Sequence, residues 1–248
     1  MKERVKYDEN FFVKYSKEIP LDFSLPFKLQ KRQLLEKLGF PIDKSLLIPV
    51  VNLNQIRITL SEWFKKNTSF MIGLHLNPLP TCVTPFFLIG ERKKKIKYHD
   101  EMGAEKIVTR KQILKKINEI SPKSWVEFIK PIWGPTTIAG RMIYFSSDKQ
   151  LIEIQKGVFP DKIGNDREKF PYFTVELEFF QIDFRNQSRL GNLEIREVKS
   201  VIRSLEKHLQ GFENLLRIAE MPTLELGYMQ QDKKLVIIDI DWPRQYQY

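Results

Sequence analysis

Three carboxylates stand close together near the end of the 248-residue chain: Glu225 in TLELGYM (223–229), and Asp239 and Asp241 in KLVIIDID (234–241). Side chains alternate along a strand, so Asp239 and Asp241 fall on one side and could both line one cleft beside Glu225, on the neighbouring strand across a tight QQDK turn. Apolar residues precede each Asp, which makes the strand buried up to that point. A charge at the end of a buried strand needs a partner, and a metal ion or an Arg would serve. The competing reading is a surface network in which the same carboxylates pair with Lys233, Lys234 or Arg244.

Upstream, Arg141 follows Gly140 at the start of RMIYFSS (141–147), where it can touch a phosphate or form a rim salt bridge. Glu153 and Lys156 sit in LIEIQKG (151–157), whose alternation marks a strand with an exposed face. Other chemistries find little footing. His75, His99 and His208 are too scattered for a zinc pattern, and the single cysteine, Cys82, excludes a CxxC pair and an intramolecular disulfide. No GxxxxGK[ST] or GxGxxG loop follows a strand, and GxSxG is absent. Trp63, Trp125, Trp133 and Trp242, with 18 Phe, read most simply as core.

An excess of 41 Lys and Arg over 31 Asp and Glu gives a formal charge of +10, which favours anionic partners: phosphates, nucleic acid, anionic lipid or an acidic protein. Much of it lies in ERKKKIKYH (91–99), either a solvated loop or strand end, or a nucleic-acid contact. No run approaches the roughly 20 apolar residues that cross a bilayer, and MKERVKYDEN lacks the apolar stretch of a signal peptide. The expectation is a cytoplasmic protein with no membrane partner; its oligomeric state is not legible.

The elements that would hold these residues alternate in type. Leu29, Leu34, Leu35 and Leu38 share a helical face stopped at Gly39-Phe40-Pro41, and TRKQILKKINEI (109–120) opens on a plausible N-cap, Thr109. Residues 58–67 read as a short helix, and 193–219 as one long amphipathic helix carrying Val198, Ile202, Leu205, Leu209, Phe212, Leu215 and Ile218 on its stripe. Strands are expected at 46–53, 69–76, 84–91, 124–132, 141–147, 151–157, 173–184, 223–229 and 234–241, with WGPTTIAG (133–140) as a loop. The fold class is α+β, two lobes of mixed or antiparallel sheet with flanking helices, divided as 1–122 and 123–248.

The order of the later pieces resembles the ATP-grasp nucleotide-binding domain of the phosphoenolpyruvate synthase and pyruvate phosphate dikinase family. The resemblance rests on WVEFI, a Gly-containing loop, the acidic strand of LIEIQKGVFPDKIG, and then LEKHLQGFENLLRIAEMPTLELGYMQQDKKLVIIDIDWP, a long helix, a Pro and two strands bearing carboxylates. It covers roughly 124–243, with a weaker echo in KRQLLEKLGFPI and SFMIGLHLNPLP. It implies ATP and Mg2+ as cofactors, with Glu225, Asp239 and Asp241 as metal ligands, since hard Mg2+ takes oxygen donors and shares them with phosphates. It implies Arg141 and Arg244 as catalytic cations that neutralise phosphoryl charge, and Glu127, Glu153 and Lys156 as nucleotide contacts, Glu127 and Lys130 flanking a hinge where adenine would meet backbone. The departures are the final IDIDWPR, where the family carries Gln and Arg, and the missing Arg-Ser-Ser segment near SFMIGLHLN. The function implied is an ATP-dependent phosphotransferase or ligase; the alternative is a non-catalytic nucleic-acid-binding module or complex subunit.

Overall fold

The computed structural model describes residues 19–22, 24–76, 84–90, 94–100, 104–130, 137–156, 173–182, 193–217 and 222–241. Among them are helices α1 (Phe27–Lys37), α2 (Leu53–Lys66), α3 (Arg110–Asn118), α4 (Ile195–Glu206) and α5 (Leu209–Leu216). The strands are β1 (Leu46–Pro49), β2 (Phe70–His75), β3 (Phe86–Ile89), β4 (Ile96–His99), β5 (Glu105–Ile107), β6 (Trp125–Ile129), β7 (Thr137–Tyr144), β8 (Lys149–Lys156), β9 (Phe173–Glu178), β10 (Thr223–Met229) and β11 (Lys234–Asp241). They form two antiparallel sheets, ordered β1-β6-β2-β3-β4-β5 and β11-β10-β7-β8-β9, so the chain is α+β. Two compact units result, Met1–Lys31 with Lys44–Pro131, and Arg32–Asp43 with Ile132–Tyr248. No helix among the described residues is long and apolar enough to cross a membrane.

The first unit is built on β2 and β6, whose alternate residues Phe70, Ile72, Leu74, Val126 and Phe128 are buried with Ile56, Leu60 and Phe64 of α2 and Ile113 and Ile117 of α3. Trp63 and Phe64 meet Phe70 edge-on, at 5.5 and 5.2 Å between ring centres. The segment 46–53, expected as one strand, divides: β1 ends at Pro49, and Asn52 caps α2 by accepting the Gln55 amide at 3.2 Å. Thr109 caps α3 as expected, in a reciprocal capping box with Gln112. The basic run ends in β4, which pairs with β5, and Lys97 Nζ lies 2.8 Å from Glu105 Oε2. Trp125–Ile129, grouped by sequence with the C-terminal lobe, pairs with β1 and β2 in this first sheet.

In the second unit α4 buries Val198, Val201, Ile202 and Leu205, and α5 buries Phe212 and Leu215. The single helix expected over 193–219 breaks at Lys207–His208, and Leu209, assigned to its apolar stripe, is 38% exposed. The break lets α5 press Gly211 on the chain at Leu38–Phe40: a Cβ there would stand 3.0 Å from the Leu38 carbonyl. Phe212 then packs edge-on against Phe40 and stacks on Tyr144 of β7. Thr137–Gly140, read as loop, is the first half of β7. Gly140 is obligatory in it, because a Cβ would lie 2.0 Å from the Glu153 carbonyl of β8. The strand expected to run to 184 stops at Glu178, where Phe179 and Phe180 take left-handed backbone with φ of 51 and 57°. Gln150 holds this turn, accepting the Phe180 amide and donating to the Ser146 and Ser147 carbonyls.

Candidate functional site

Antiparallel register places Asp239 of β11 opposite Glu225 of β10, Glu225 opposite Arg141 of β7, and Arg141 opposite Glu153 of β8. Four strands thus contribute one charged residue each to a single row across the sheet, with directly opposed Cβ atoms about 5 Å apart. Flanking residues Leu224, Leu226, Met142, Ile152, Ile154 and Ile240 are buried, whereas the four charged ones are only partly so. The buried set faces α4 and α5, since Tyr144 stacks on Phe212; the charged row occupies the opposite face.

Strict alternation would not have produced this. Leu235 and Ile237 oppose Tyr228 and Leu226 on the helix-covered face, so an unbroken ladder would set Asp239 opposite Leu224 on that same face. A register shift between Glu225 and Leu226 inserts one extra residue, Ile238, into β11 and turns Asp239 over to meet Glu225. Asp239 Oδ1 also accepts the Ile240 amide at 2.9 Å. Arg141 Nε is bonded to Glu153 Oε2, with side-chain exposures of 24% and 21%. Asp241 lies two positions past Asp239, in register with Thr223. The Asp241 side chain and all of Arg244 lie outside the described residues.

Two of the residues nominated from sequence lie elsewhere. Lys156 is on the helix-covered face, paired with Ile138, and its Nζ is 2.6 Å from Glu197 Oε1 of α4. Gln230 donates to the same oxygen, and the Glu194 amide to Glu197 Oε2 at 2.8 Å. Burial opposes the ionised form of Glu197, but these three donors outweigh it and hold the carboxyl below the usual range. Glu127 belongs to the first unit, 3% exposed in β6. It is bound by His75 Nε2 at 2.7 Å and by the Ser45 hydroxyl, so its side chain is an interior group of that unit.

Sequence reading gave Ser45 and Glu197 no role and weighed His75 only as a zinc ligand; the side chains they meet, Glu127 for Ser45 and His75, and Lys156 and Gln230 for Glu197, are 33 or more positions away. It also passed over Gln155, although the period of two already sets that residue on the Glu153 face. Among the described residues no three or more His, Cys, Asp or Glu side chains gather as a metal cluster. Of the described lysines in the basic segment, Lys94 and Lys95 are exposed and Lys97 is paired with Glu105, and none of them points to a nucleic-acid partner.

No family model and no curated protein matches the chain. Solved structures do resemble it. D-alanine-D-alanine ligase from Helicobacter pylori shares 11% identity over 88% of this chain and 54% of its own, with a TM-score of 0.47. The ATP-grasp ligase PsnB complexed with a minimal precursor shares 12% over 89% and 53%, with a TM-score of 0.41. The ADP complex of N5-carboxyaminoimidazole ribonucleotide synthetase shares 13% over 90% and 46%, with a TM-score of 0.42. The chain spans about half the length of each of these ligases, and it is an α+β protein of two antiparallel sheets.

Proposed function

We propose that this chain is an ATP-grasp-like protein that binds ATP with Mg2+ on the charged face of its second sheet, as part of an ATP-dependent ligase or phosphotransferase. The observation that carries the reading is the bulge-dependent opposition of Glu225 and Asp239 beside Arg141. The donor set suits the ion: Mg2+ keeps much of its water and asks a protein for one or two carboxylates, taking its other ligands from phosphate. Glu225 and Asp239 are such a pair, and Asp241 would add a third oxygen donor. Bound there, Mg2+ would supply neutralisation of phosphate charge. Arg141 would contribute a fixed cation alongside, oriented by Glu153, and Arg244 a second one. A preorganised cation costs no reorganisation when charge develops on a transferring phosphoryl group. The similar structures named above are ligases, so the narrower likeness to phosphoenolpyruvate synthase and pyruvate phosphate dikinase rests on the sequence pattern alone.

The test is a thermal-shift titration with ATP, with and without Mg2+. The wild-type melting temperature should rise with ATP and rise further with Mg2+ present. Glu225→Gln combined with Asp239→Asn should fold normally yet lose the Mg2+-dependent part. A wild-type protein whose melting is indifferent to Mg2+ and ATP together would dispose of the reading.

A further inference from the structure

The first sheet ends at β5, whose residues Glu105, Lys106 and Ile107 are all exposed. The Val108 amide donates to the Ile96 carbonyl at 3.0 Å and the Asp100 amide to the Ala104 carbonyl at 3.2 Å, so Ile96 with Val108 and Asp100 with Ala104 occupy hydrogen-bonded positions of the ladder. Such positions alternate in an antiparallel pair, which makes Tyr98 with Lys106 the one between them and turns the N–H and C=O of Glu105 and Ile107 away from β4. Among the described residues nothing answers those outward groups. Ile107, an apolar side chain, stands 60% exposed beside them.

The two faces of this edge differ. Lys106 opposes Tyr98, and the Lys116 ammonium of α3 lies 5.7 Å from the centre of the Tyr98 ring, so Lys106 is on the helix-covered face with a second cation near it. Among the described residues Lys106 forms no ion pair. Glu105 and Ile107 oppose His99 and Lys97 on the other face, where Glu105 is already answered by Lys97 at 2.8 Å. One face therefore suits carboxylates, and the other an apolar side chain beside Ile107. We propose that β5 takes an extended acidic peptide as an added strand, its carboxylates set toward Lys106 and Lys116 and apolar residues alternating with them over Ile107. The backbone decides the class of partner. Only another extended chain offers donors and acceptors in alternation at the spacing of a strand; phosphates answer the N–H groups and leave the carbonyls unmet. A second copy of this chain fits poorly, because two such edges paired antiparallel would set Lys106 against Lys106, and like charges directly opposed are destabilising. The edge lies within the first unit and does not depend on the nucleotide reading.

The experiment is fluorescence anisotropy with a labelled synthetic peptide of about eight residues in which Glu and Val alternate, at about 0.1 M salt. A peptide of the same composition with its Glu and Val in separate blocks measures charge attraction alone. The alternating peptide should bind about tenfold or more tightly than the block peptide. Ile107→Pro removes an outward N–H at a position where an edge strand tolerates proline, so it should melt within a few degrees of wild type and weaken the alternating peptide about tenfold or more. Lys106→Glu should weaken it as much without touching the backbone, and decides the matter should Ile107→Pro fail to fold. In hydrogen exchange the amides of Glu105 and Ile107 should slow when the alternating peptide is added, a change that attachment by charge elsewhere on the surface does not produce. Equal binding of the two peptides, unaltered exchange at both amides, or no peptide binding overturns the inference. Phosphatidylserine vesicles or an oligothymidylate held by wild type and released by Lys106→Glu, with no peptide bound, overturns it likewise and gives the edge to a membrane or to nucleic acid.

Discussion

Arg141 has an anion on either side, Glu225 on β10 and Glu153 on β8, and its Nε is given to Glu153. A guanidinium fixed this way is aimed before any ligand arrives. Arg141→Leu should therefore leave melting within a few degrees but weaken Mg·ATP binding about tenfold or more by titration calorimetry. Unchanged affinity would remove Arg141 from the site. Glu197 makes a different kind of prediction. Its carboxyl is held low because Lys156, the Glu194 amide and Gln230 outweigh the burial that opposes ionisation. A depressed carboxyl adds stability that is fully present above its unfolded value, near 4.3, and is lost as pH falls through the lower folded value. Urea midpoints measured from pH 6 down to pH 3 should fall less steeply for Glu197→Gln than for wild type; parallel acid slopes would contradict this. In the first unit, His75→Leu strips the buried Glu127 of a partner and should cost about 3 kcal/mol, while His75→Leu with Glu127→Leu should recover part of that loss. Strict additivity in denaturant unfolding would show that the pair is not coupled.

Among the elements, β7 and β8 tolerate least change. The would-be Cβ of Gly140 meets backbone, not a flexible side chain, so Gly140→Ala must part the two strands that carry Arg141 and Glu153. The expected loss is about 3 kcal/mol or more in urea unfolding, with nucleotide affinity falling alongside it. A fully stable Gly140→Ala would mean that the strand spacing is not as described. Thr109→Ala, by contrast, should cost only about 1 kcal/mol, the ordinary worth of an N-cap, and should leave nucleotide binding unaltered. The break between α4 and α5 belongs to this scale too. The apolar spacing runs through it unbroken, and the helix ends because Gly211 and Phe212 have to reach Leu38 and Phe40.

Across the whole molecule, a formal charge of +10 makes the surroundings of any anionic ligand attractive at long range. Raising ionic strength from about 0.05 to 0.3 M shortens the Debye length to well under 10 Å, so Mg·ATP affinity should decline several-fold. Affinity that held steady or rose with salt would mean that the net charge plays no part. Within each unit, one sheet face is closed by helices and apolar side chains, while the other keeps polar groups: His75 and Glu127 in the first, and the charged row with Gln155 in the second.

The class of fold, most element positions, the Thr109 cap, the hairpin of β10 and β11 and the membership of Arg141, Glu153, Glu225 and Asp239 among the charged strand residues were legible in the chain itself. Hydrophobic period and turn chemistry are local properties, carried by residues a few positions apart. What lay beyond reach was everything decided by pairing between distant segments. Alternation alone set Asp239 and Asp241 on one side but could not reveal the extra residue in β11 that brings Asp239 to Glu225. Nor could it send Lys156 to Glu197, Glu127 to His75 and Ser45, or Trp125–Ile129 into the first sheet. Register and face are cooperative outcomes of packing a whole sheet against its helices, and one inserted residue reverses every side chain that follows it.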